Sequence, residues 1–549
     1  MSQDGTSRRI RGGPKFLSAA EAVVLIRPGD TLAIGGSGGG LVEPDLLLAE
    51  LGRRYVETSA PAALTLVHTT GIGDRAGGGM DHLAHQGLAK RIIAGNWGMA
   101  PRMSELCAEG AFEAYNYPQG VLSQLFRDIA AGRPGVVTHV GIGTFCDPRV
   151  EGGRLNDATT EDLIEVVELA GREWLLYPSM DLDVCFIRGT TADERGNISL
   201  EHEGAKLEML AIAQATRNRG GLVIAQVKNV ARAGSLDPRT VVVPGICVDV
   251  VVVHAEQRQL ITHEYNPAFS GEIKGALSAL APFPLDQRKV VARRALAEIR
   301  DGDVVNLGVG IADGVAAVAA EEGWSEHFTL TIEQGLVGGV PARGVIFGVA
   351  TNPEAVLDQP SQFDFYDGGG LDITFLGFAQ IDSEGNVNVS KFGKRVVGTG
   401  GFVNISQNAR TVIFCGTFTA GGLHAVPSGG HLTIEAEGRN RKFIKQVDQI
   451  TFSAAEARRR GQRVLYVTER AVFELGPRGP VVIEVAPGVD LDEDVLKMLD
   501  WPVEVAGDVR TMDSRIFHEQ PLGAGWRPDS PHSAPISAPT SAHKSEGST

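Results

Sequence analysis

Asp183-Val184-Cys185-Phe186-Ile187, followed by Asp193-Glu194-Arg195-Gly196-Asn197-Ile198, is nearly repeated as Asp372-Ile373-Thr374-Phe375-Leu376 and Asp382-Ser383-Glu384-Gly385-Asn386-Val387. The offset is 189 residues at both ends, from 183 to 372 and from 197 to 386. The apolar run 222–225 falls on 411–414 at the same offset. Two ungapped matches at one spacing do not arise readily by chance. A second pair lies further upstream. The turn Arg27-Pro28-Gly29-Asp30, a strand over 31–34 and a glycine loop correspond to Arg300-Asp301-Gly302-Asp303, a strand over 304–307 and Gly308-Val309-Gly310, now 273 residues apart. The two offsets differ by 84 residues, so the first half carries an insertion of that length.

Strand, glycine loop, helix is the α/β unit, with its loop at the carboxyl end of the strand. The fold class is therefore α/β: two tandem homologous α/β domains with the active site in the cleft between them, where unequal halves leave room for a ligand. The domains are expected at 14–270 and 285–520. The stretch 256–290, with Pro267, Pro282 and Pro284, joins them. Residues 526–549, rich in Ser, Pro, Ala and His without periodicity, read as a disordered tail. Locally, 18–26 reads as a helix capped by Ser18, and Pro44 opens a helix through 51. Strands are expected over 328–332, 464–467 and 472–485, the last broken at Gly476-Pro477-Arg478-Gly479, and a short helix over 490–499.

At 549 residues the chain is too long for one core. Hydrophobic content of 43% and charged content of 21% are those of an ordinary globular protein. A net charge of -16 argues against nucleic acid or an anionic membrane as partner, so an anionic ligand must be held by local features. The most apolar run, 241–254, contains Pro244 and Asp249 and is too short to span a bilayer. Arg8, Arg9 and Arg11 are not followed by an apolar signal region. Five scattered cysteines without a CxxC suit reduced thiols, and the expected localisation is cytoplasmic.

Several motifs compete for the chemistry. Gly35-Gly36-Ser37-Gly38-Gly39 satisfies the G-x-S-x-G nucleophile elbow, but five glycines in six residues match many patterns, and the duplication contradicts a continuous hydrolase fold. Gly308-Val309-Gly310 lacks the third glycine of a dinucleotide fingerprint, since residue 313 is Asp. His82 with His85, and Glu201-His202-Glu203, lack a third ligand at a familiar spacing, so no metal site is expected. The run Arg458-Arg459-Arg460 suits a helix C-terminus. Val397-Gly398-Thr399-Gly400-Gly401-Phe402 follows Lys391, Lys394 and Arg395 and offers backbone N–H groups to an oxyanion. Thr331-Ile332-Glu333-Gln334-Gly335 ends a strand on a carboxylate and breaks into glycines at 335, 338 and 339.

Together these segments resemble the family I CoA-transferases, in particular the single-chain acetate/propionate (short-chain acyl) enzymes with two fused domains, over roughly 14–520. Glu333-Gln334-Gly335 falls on the family's Glu-x-Gly motif, extended by Gly338-Gly339-Val340-Pro341. The segments 363–372, 385–390 and 398–402 are also similar, and Pro118-Gln119-Gly120 matches the segment whose glutamine faces the catalytic acid. The resemblance implies a short-chain acyl-CoA:carboxylate CoA-transferase (acetate, propionate or 3-oxoacid type) working by ping-pong transfer through a glutamyl-CoA thioester on Glu333. Gln119 and the backbone of Gly400 would stabilise the oxyanion. Gly308, Val309, Gly310, Gly398 and Gly401 would lie along CoA. No cofactor would be bound permanently, coenzyme A being a substrate, and the partners would be acyl-CoA and small carboxylic acids, with a homodimer or homotetramer usual for relatives. An acyl-CoA hydrolase using the same Glu333, or a non-catalytic acyl-CoA-binding protein, remains the alternative. Two departures, Gln334 after the glutamate and Ser37 in the first glycine loop, bear on which acyl group fits.

Overall fold

The computed structural model describes residues 8, 10, 12–276 and 283–523. The expected disordered tail lies outside the described residues, as does Pro282 of the linker.

Each half is built on a ten-stranded sheet. Along the main path of the first, the strands run Lys15–Leu17, Val250–Val253, Leu222–Ala231, Val184–Asp193, Thr31–Ile34, Leu64–His68, Ala89–Ala94, Glu113–Asn116, all parallel. The second sheet has the same parallel centre: Arg463–Val467, Thr411–Cys415, Ile373–Gly377, Val304–Leu307, Thr329–Ile332. Antiparallel strands then extend both of its edges.

The registers reproduce the repeat residue by residue. Leu32, Ala33 and Ile34 pair with Val184, Cys185 and Phe186, while Val305, Asn306 and Leu307 pair with Ile373, Thr374 and Phe375. Those are the two sequence offsets, 273 and 189, found together in one pair of strands. The aspartates that open the repeat have one job in both halves. Asp183 Oδ2 accepts the Thr31 N–H at 2.9 Å, and Asp372 Oδ2 accepts the Val304 N–H at 2.9 Å.

Strand alternation explains why both sheet faces are covered. In the first half, Leu32, Ile34, Val184 and Phe186 bury against helices Ala19–Val24 and Asp45–Thr58. Their neighbours Ala33, Cys185 and Ile187 bury with helices Gln119–Ala130 and Met209–Asn218. Period-two alternation sends successive residues to opposite faces, and a parallel sheet needs both faces covered. The second half repeats the arrangement with two further clusters. The first-half core also takes in Ile332, Leu336, Val349, Ala350 and Val403 of the second half, so the halves share buried apolar surface.

The expected strand at 31–34 and the Ser18 cap are found, the latter as a full capping box with Glu21. The helix opened by Pro44 runs seven residues beyond 51, to Thr58, and ends where Ser59 adopts a left-handed conformation (φ 54°). The expected helix over 490–499 is corrected: it is a π turn, Leu491–Val495, followed by a 3-10 turn, Leu496–Met498. Adjacent Val495 and Leu496 both pack on the core there, which a single α-helical face does not favour.

The second repeat segment is a loop closed by its aspartate. Asp382 Oδ1 accepts the Glu384 and Asn386 N–H groups at 3.0 and 2.9 Å, and Oδ2 accepts Asn386 Nδ2 at 3.0 Å. Asp193 holds Arg195 and Asn197 in the same way. Asp382→Ala leaves buried donors unpaired and is expected to cost about 2–3 kcal/mol, read as a lowered midpoint in urea denaturation.

Candidate active site

Strand Thr329–Ile332 and strand Leu336–Val337 form a tight antiparallel hairpin, with Ile332 opposite Leu336. Its turn is Glu333-Gln334-Gly335. Gly335 has φ 108°, and a Cβ there would strike the Leu357 carbonyl, so only glycine fits. Glu333 therefore leaves the carboxyl end of a parallel strand, where ligands of open α/β sheets bind. Behind it Tyr366 donates its hydroxyl to Thr331 Oγ1 at 2.9 Å, and Thr331 Oγ1 donates to the Val305 carbonyl at 3.0 Å. These bonds stiffen the strand that carries the turn.

The turn opens on a cavity of about 530 Å³ lined by both halves. The first half supplies Ser37, Gly38, Thr70, Asn96, Met99 and Gln119. The second supplies Gly308, Val309, Glu333, Gln334, Phe378 and the loop 397–402. Thus Glu333, Gln119, Gly308, Val309, Gly398, Gly400 and Gly401 share one cavity wall. Gly310 lies just outside the lining, with its N–H 3.4 Å from Asp313 Oδ2.

Glu333 makes no hydrogen bond or ion pair among the described residues. Burial alone pushes its carboxyl up to about 7. Gln119 begins helix Gln119–Ala130 behind Pro118, and its own N–H bonds the Gly400 carbonyl at 3.0 Å. Its side chain is 2% exposed, and Nε2 has no partner among the described residues. A buried amide donor without an acceptor, in the same cavity as an unpaired carboxyl, is arranged for a ligand oxygen.

The glycine loop fixes the remaining wall. Gly398 and Gly400 have φ of 79° and 53°. A Cβ on Gly401 would stand 3.2 Å from Glu333 Cδ, so this backbone lies directly against the carboxyl. The expectation that the Gly400 N–H serves as oxyanion donor is corrected here. That N–H is already donated to the Gly95 carbonyl at 2.7 Å. No acceptor is found for the next amide, that of Gly401, among the described residues.

The sequence reading missed Asn96, Thr70, Met99 and Arg75. Thr70-Gly71 follows strand Leu64–His68 as Gln334-Gly335 follows Thr329–Ile332, and pairing Thr31 with Thr65 and Val304 with Thr329 puts Thr69 in the place of Glu333. Extending the repeat by one strand would have found it. Nothing local marks Asn96 or Arg75. His82 pairs with Asp45 through Nε2 at 3.2 Å, and Arg459 and Arg460 pair with Glu456 in the last turn of their helix.

Comparisons with known proteins agree with this architecture. Residues 16–254 match the family described as Coenzyme A transferase. The chain is 46% identical to the acetate CoA-transferase YdiF of Escherichia coli (strain K12), over 94% of this chain and 97% of that one. It is 45% identical to the caffeate CoA-transferase of Acetobacterium woodii, over 92% and 98%. A crystal structure of the acyl-CoA transferase YdiF of E. coli O157:H7, a thioester complex with CoA, superimposes with a TM-score of 0.89 at 45% identity, covering 94% of this chain and 99% of that one. The chain belongs to the coenzyme A transferase family. It is an α/β enzyme of the CoA-transferase class.

Two predictions test the site. Gly401 has φ −78°, which alanine adopts without strain, so Gly401→Ala tests space alone. It is expected to lower kcat by about tenfold or more while the melting temperature holds. A carboxyl raised to about 7 is mostly protonated below that pH, and the ionised fraction falls tenfold per unit. The rate of reaction with acyl-CoA is expected to rise with unit slope up to about pH 7 and level off above it, measured as log kcat/KM.

Proposed function

We propose that this protein is a short-chain acyl-CoA:carboxylate CoA-transferase in which Glu333 carries CoA as a thioester. The observation that carries the reading is an ionisable carboxyl without partners, set on a cavity between two halves beside an unpartnered amide donor. A structural carboxylate would have bonds of its own. The thioester complex with CoA of the similar YdiF protein supports a covalent route.

In this reading the Glu333 carboxylate attacks the acyl carbonyl of acyl-CoA. The carbon–sulfur bond breaks, giving an acyl-glutamyl anhydride and CoA thiolate. The thiolate then attacks Glu333 Cδ. The anhydride carbon–oxygen bond breaks, and the first acid leaves as its carboxylate. A second carboxylate attacks Cδ of the thioester and releases CoA thiolate, giving a new mixed anhydride. The thiolate then attacks that acid's carbonyl carbon, the carbon–oxygen bond to Glu333 breaks, and the new acyl-CoA leaves with the Glu333 carboxylate restored. Each addition puts negative charge on a carbonyl oxygen. Gln119 Nε2 and the Gly401 N–H are the donors free to meet it, each worth about 3–4 kcal/mol. Gly308, Val309 and Gly398 lie along the thioester chain. Burial between the halves keeps water from the anhydride and the thioester. No permanently bound cofactor is needed, coenzyme A being consumed and returned as substrate. The named relatives act on acids as unlike as acetate and caffeate, so they bracket the acceptor without fixing it.

Protein mixed with acetyl-CoA and no acceptor is expected to gain the mass of CoA on the peptide carrying Glu333, seen by mass spectrometry. Glu333→Ala should abolish both adduct and transfer. Gln119→Ala should lower kcat by about 10²–10³ with an unchanged melting temperature. A wild-type protein that turns over without ever showing the adduct would refute the route.

A further inference from the structure

We propose that the first half holds a second ligand site, apart from the catalytic cavity, built for a small primary amine in its ammonium form. This site does not depend on the CoA-transfer reading above.

It lies where the sheet topology leaves a crevice. Strand Thr31–Ile34 pairs with strand Val184–Asp193, and from these two the chain winds outward in opposite directions. Helix Asp45–Thr58, after the first, covers one face, and helix Met209–Asn218, after the second, covers the other. The loops at the carboxyl ends of the two strands therefore part, and open α/β sheets take their ligands at such a point. In the second half the matching pair, Val304–Leu307 with Ile373–Gly377, opens on the catalytic cavity through Gly308 and Gly377. In the first half it opens on a separate cavity of about 180 Å³, between Gly40, Arg188 and Gln226. CoA transfer at Glu333 makes no use of that second crevice.

The first-half cavity has acceptors in excess of donors. Gln226 is 1% exposed, and its Oε1 has no partner among the described residues. The amide cannot be turned round to mend this. Its Nε2 donates to Gln257 Oε1 at 2.8 Å, and Gln257 Nε2 donates in turn to the Gly189 carbonyl at 2.9 Å. A buried acceptor held open in this way is costly until a ligand donates to it. Burial raises Glu43 well above the usual carboxylate range, so the charge on the wall comes from Asp45, Asp74 and Glu256. Arg188 does not offset it. Its guanidinium is spent on Glu203 at 2.9 Å and on the carbonyls of Gly40 and Glu43 at 3.1 Å each. Burial lowers the His254 ring below its usual range, so it adds no charge. Against the three carboxylates stand Arg258 and, on Asp45 alone, His82.

The walls are fixed in place. Glu43 Oε1 accepts the Gly73 N–H at 2.8 Å and Asp45 Oδ1 accepts the Gly79 N–H at 2.9 Å, which ties loop 73–79 to the start of helix Asp45–Thr58. The carboxylates exclude an anion. Among the described residues no group of three or more His, Cys, Asp or Glu side chains is placed to hold a metal ion. An ammonium group meets the same oxygens through three N–H donors at hydrogen-bond distance. The volume is that of roughly six waters, and Leu260 and Ile261 on the wall suit a short alkyl chain.

The test is isothermal titration calorimetry of the full chain, in an amine-free buffer, with ethylammonium chloride against tetramethylammonium chloride at equal ionic strength. The first offers N–H donors and charge, the second charge alone. Ethylammonium is expected to bind saturably in the millimolar range, as befits so small a ligand, and about tenfold or more tightly than tetramethylammonium. Gln226→Leu should weaken it by about tenfold or more, and Glu256→Gln, at the exposed mouth, by about threefold. Glu333→Ala should bind it unchanged, because that carboxyl belongs to the other cavity. No saturable binding by the wild type, or equal binding of the two cations, overturns the proposal. Loss of binding in Glu333→Ala also overturns it, since the amine would then sit beside the nucleophile. So does wild-type affinity in both Gln226→Leu and Glu256→Gln.

Discussion

One crossed pair of loops holds the site together. The segment 95–97 of the first half and 397–400 of the second exchange backbone hydrogen bonds. The Trp97 N–H bonds the Val397 carbonyl at 2.8 Å, and the Gly400 N–H bonds the Gly95 carbonyl at 2.7 Å. Asn116 Oδ1 accepts the Thr399 N–H at 3.0 Å, and the Gln119 N–H meets the Gly400 carbonyl. Each bond ties a residue of one half to a residue of the other. The glycine loop that presses on Glu333 is therefore held by the partner domain, and so is the start of the helix that presents Gln119. If the halves separated, both walls of the cavity would lose their shape at once. A cavity built this way is rigid without being rich in side-chain contacts.

That rigidity bears on the electrostatics. The chain carries a net charge of -16, and among the described residues Glu333 has no ion pair. Its elevated carboxyl has a single cause, loss of water. A less solvated carboxylate is a better nucleophile, and its ionisation near neutral pH keeps enough of it reactive. An arginine beside Glu333 would ease ionisation but weaken attack, and would hold a leaving carboxylate too firmly. Fixed amide donors avoid both costs, because they act on charge only where it develops.

How much of this was legible in the sequence depends on the distance over which each feature is encoded. The duplication was, because strand pairs such as 31–34 with 184–186 keep their alternation in both copies, and paired aspartates keep their loops. The Glu333 turn was too, since a strand, an acid and a glycine are adjacent in the chain. Gly400 misled, because a glycine loop announces free N–H groups without saying which one a distant strand end takes. Gly95 lies about 300 residues away. Asn96 and Arg75 were silent for the same reason: their place on the wall is set by sheet order, which no local pattern records. The π turn at Leu491–Val495 shows the opposite limit, where core packing overrides a helical reading.

The duplication also raises the question of why only one half is armed. Thr69-Thr70-Gly71 stands where a second Glu-Gln-Gly would be. Two carboxylates facing one cavity would repel, and at least one would be held protonated. The first half keeps its carboxyl behind the wall instead. Glu208, at the start of helix Met209–Asn218, accepts the Thr69 hydroxyl at 2.5 Å, and burial pushes it up to about 7. Thr69 thus spends its side chain on Glu208, leaving Thr70 and Gly71 to line the cavity. The two halves therefore differ at the matching position: the second presents Glu333 to the cavity, and the first a threonine bonded to Glu208 behind it.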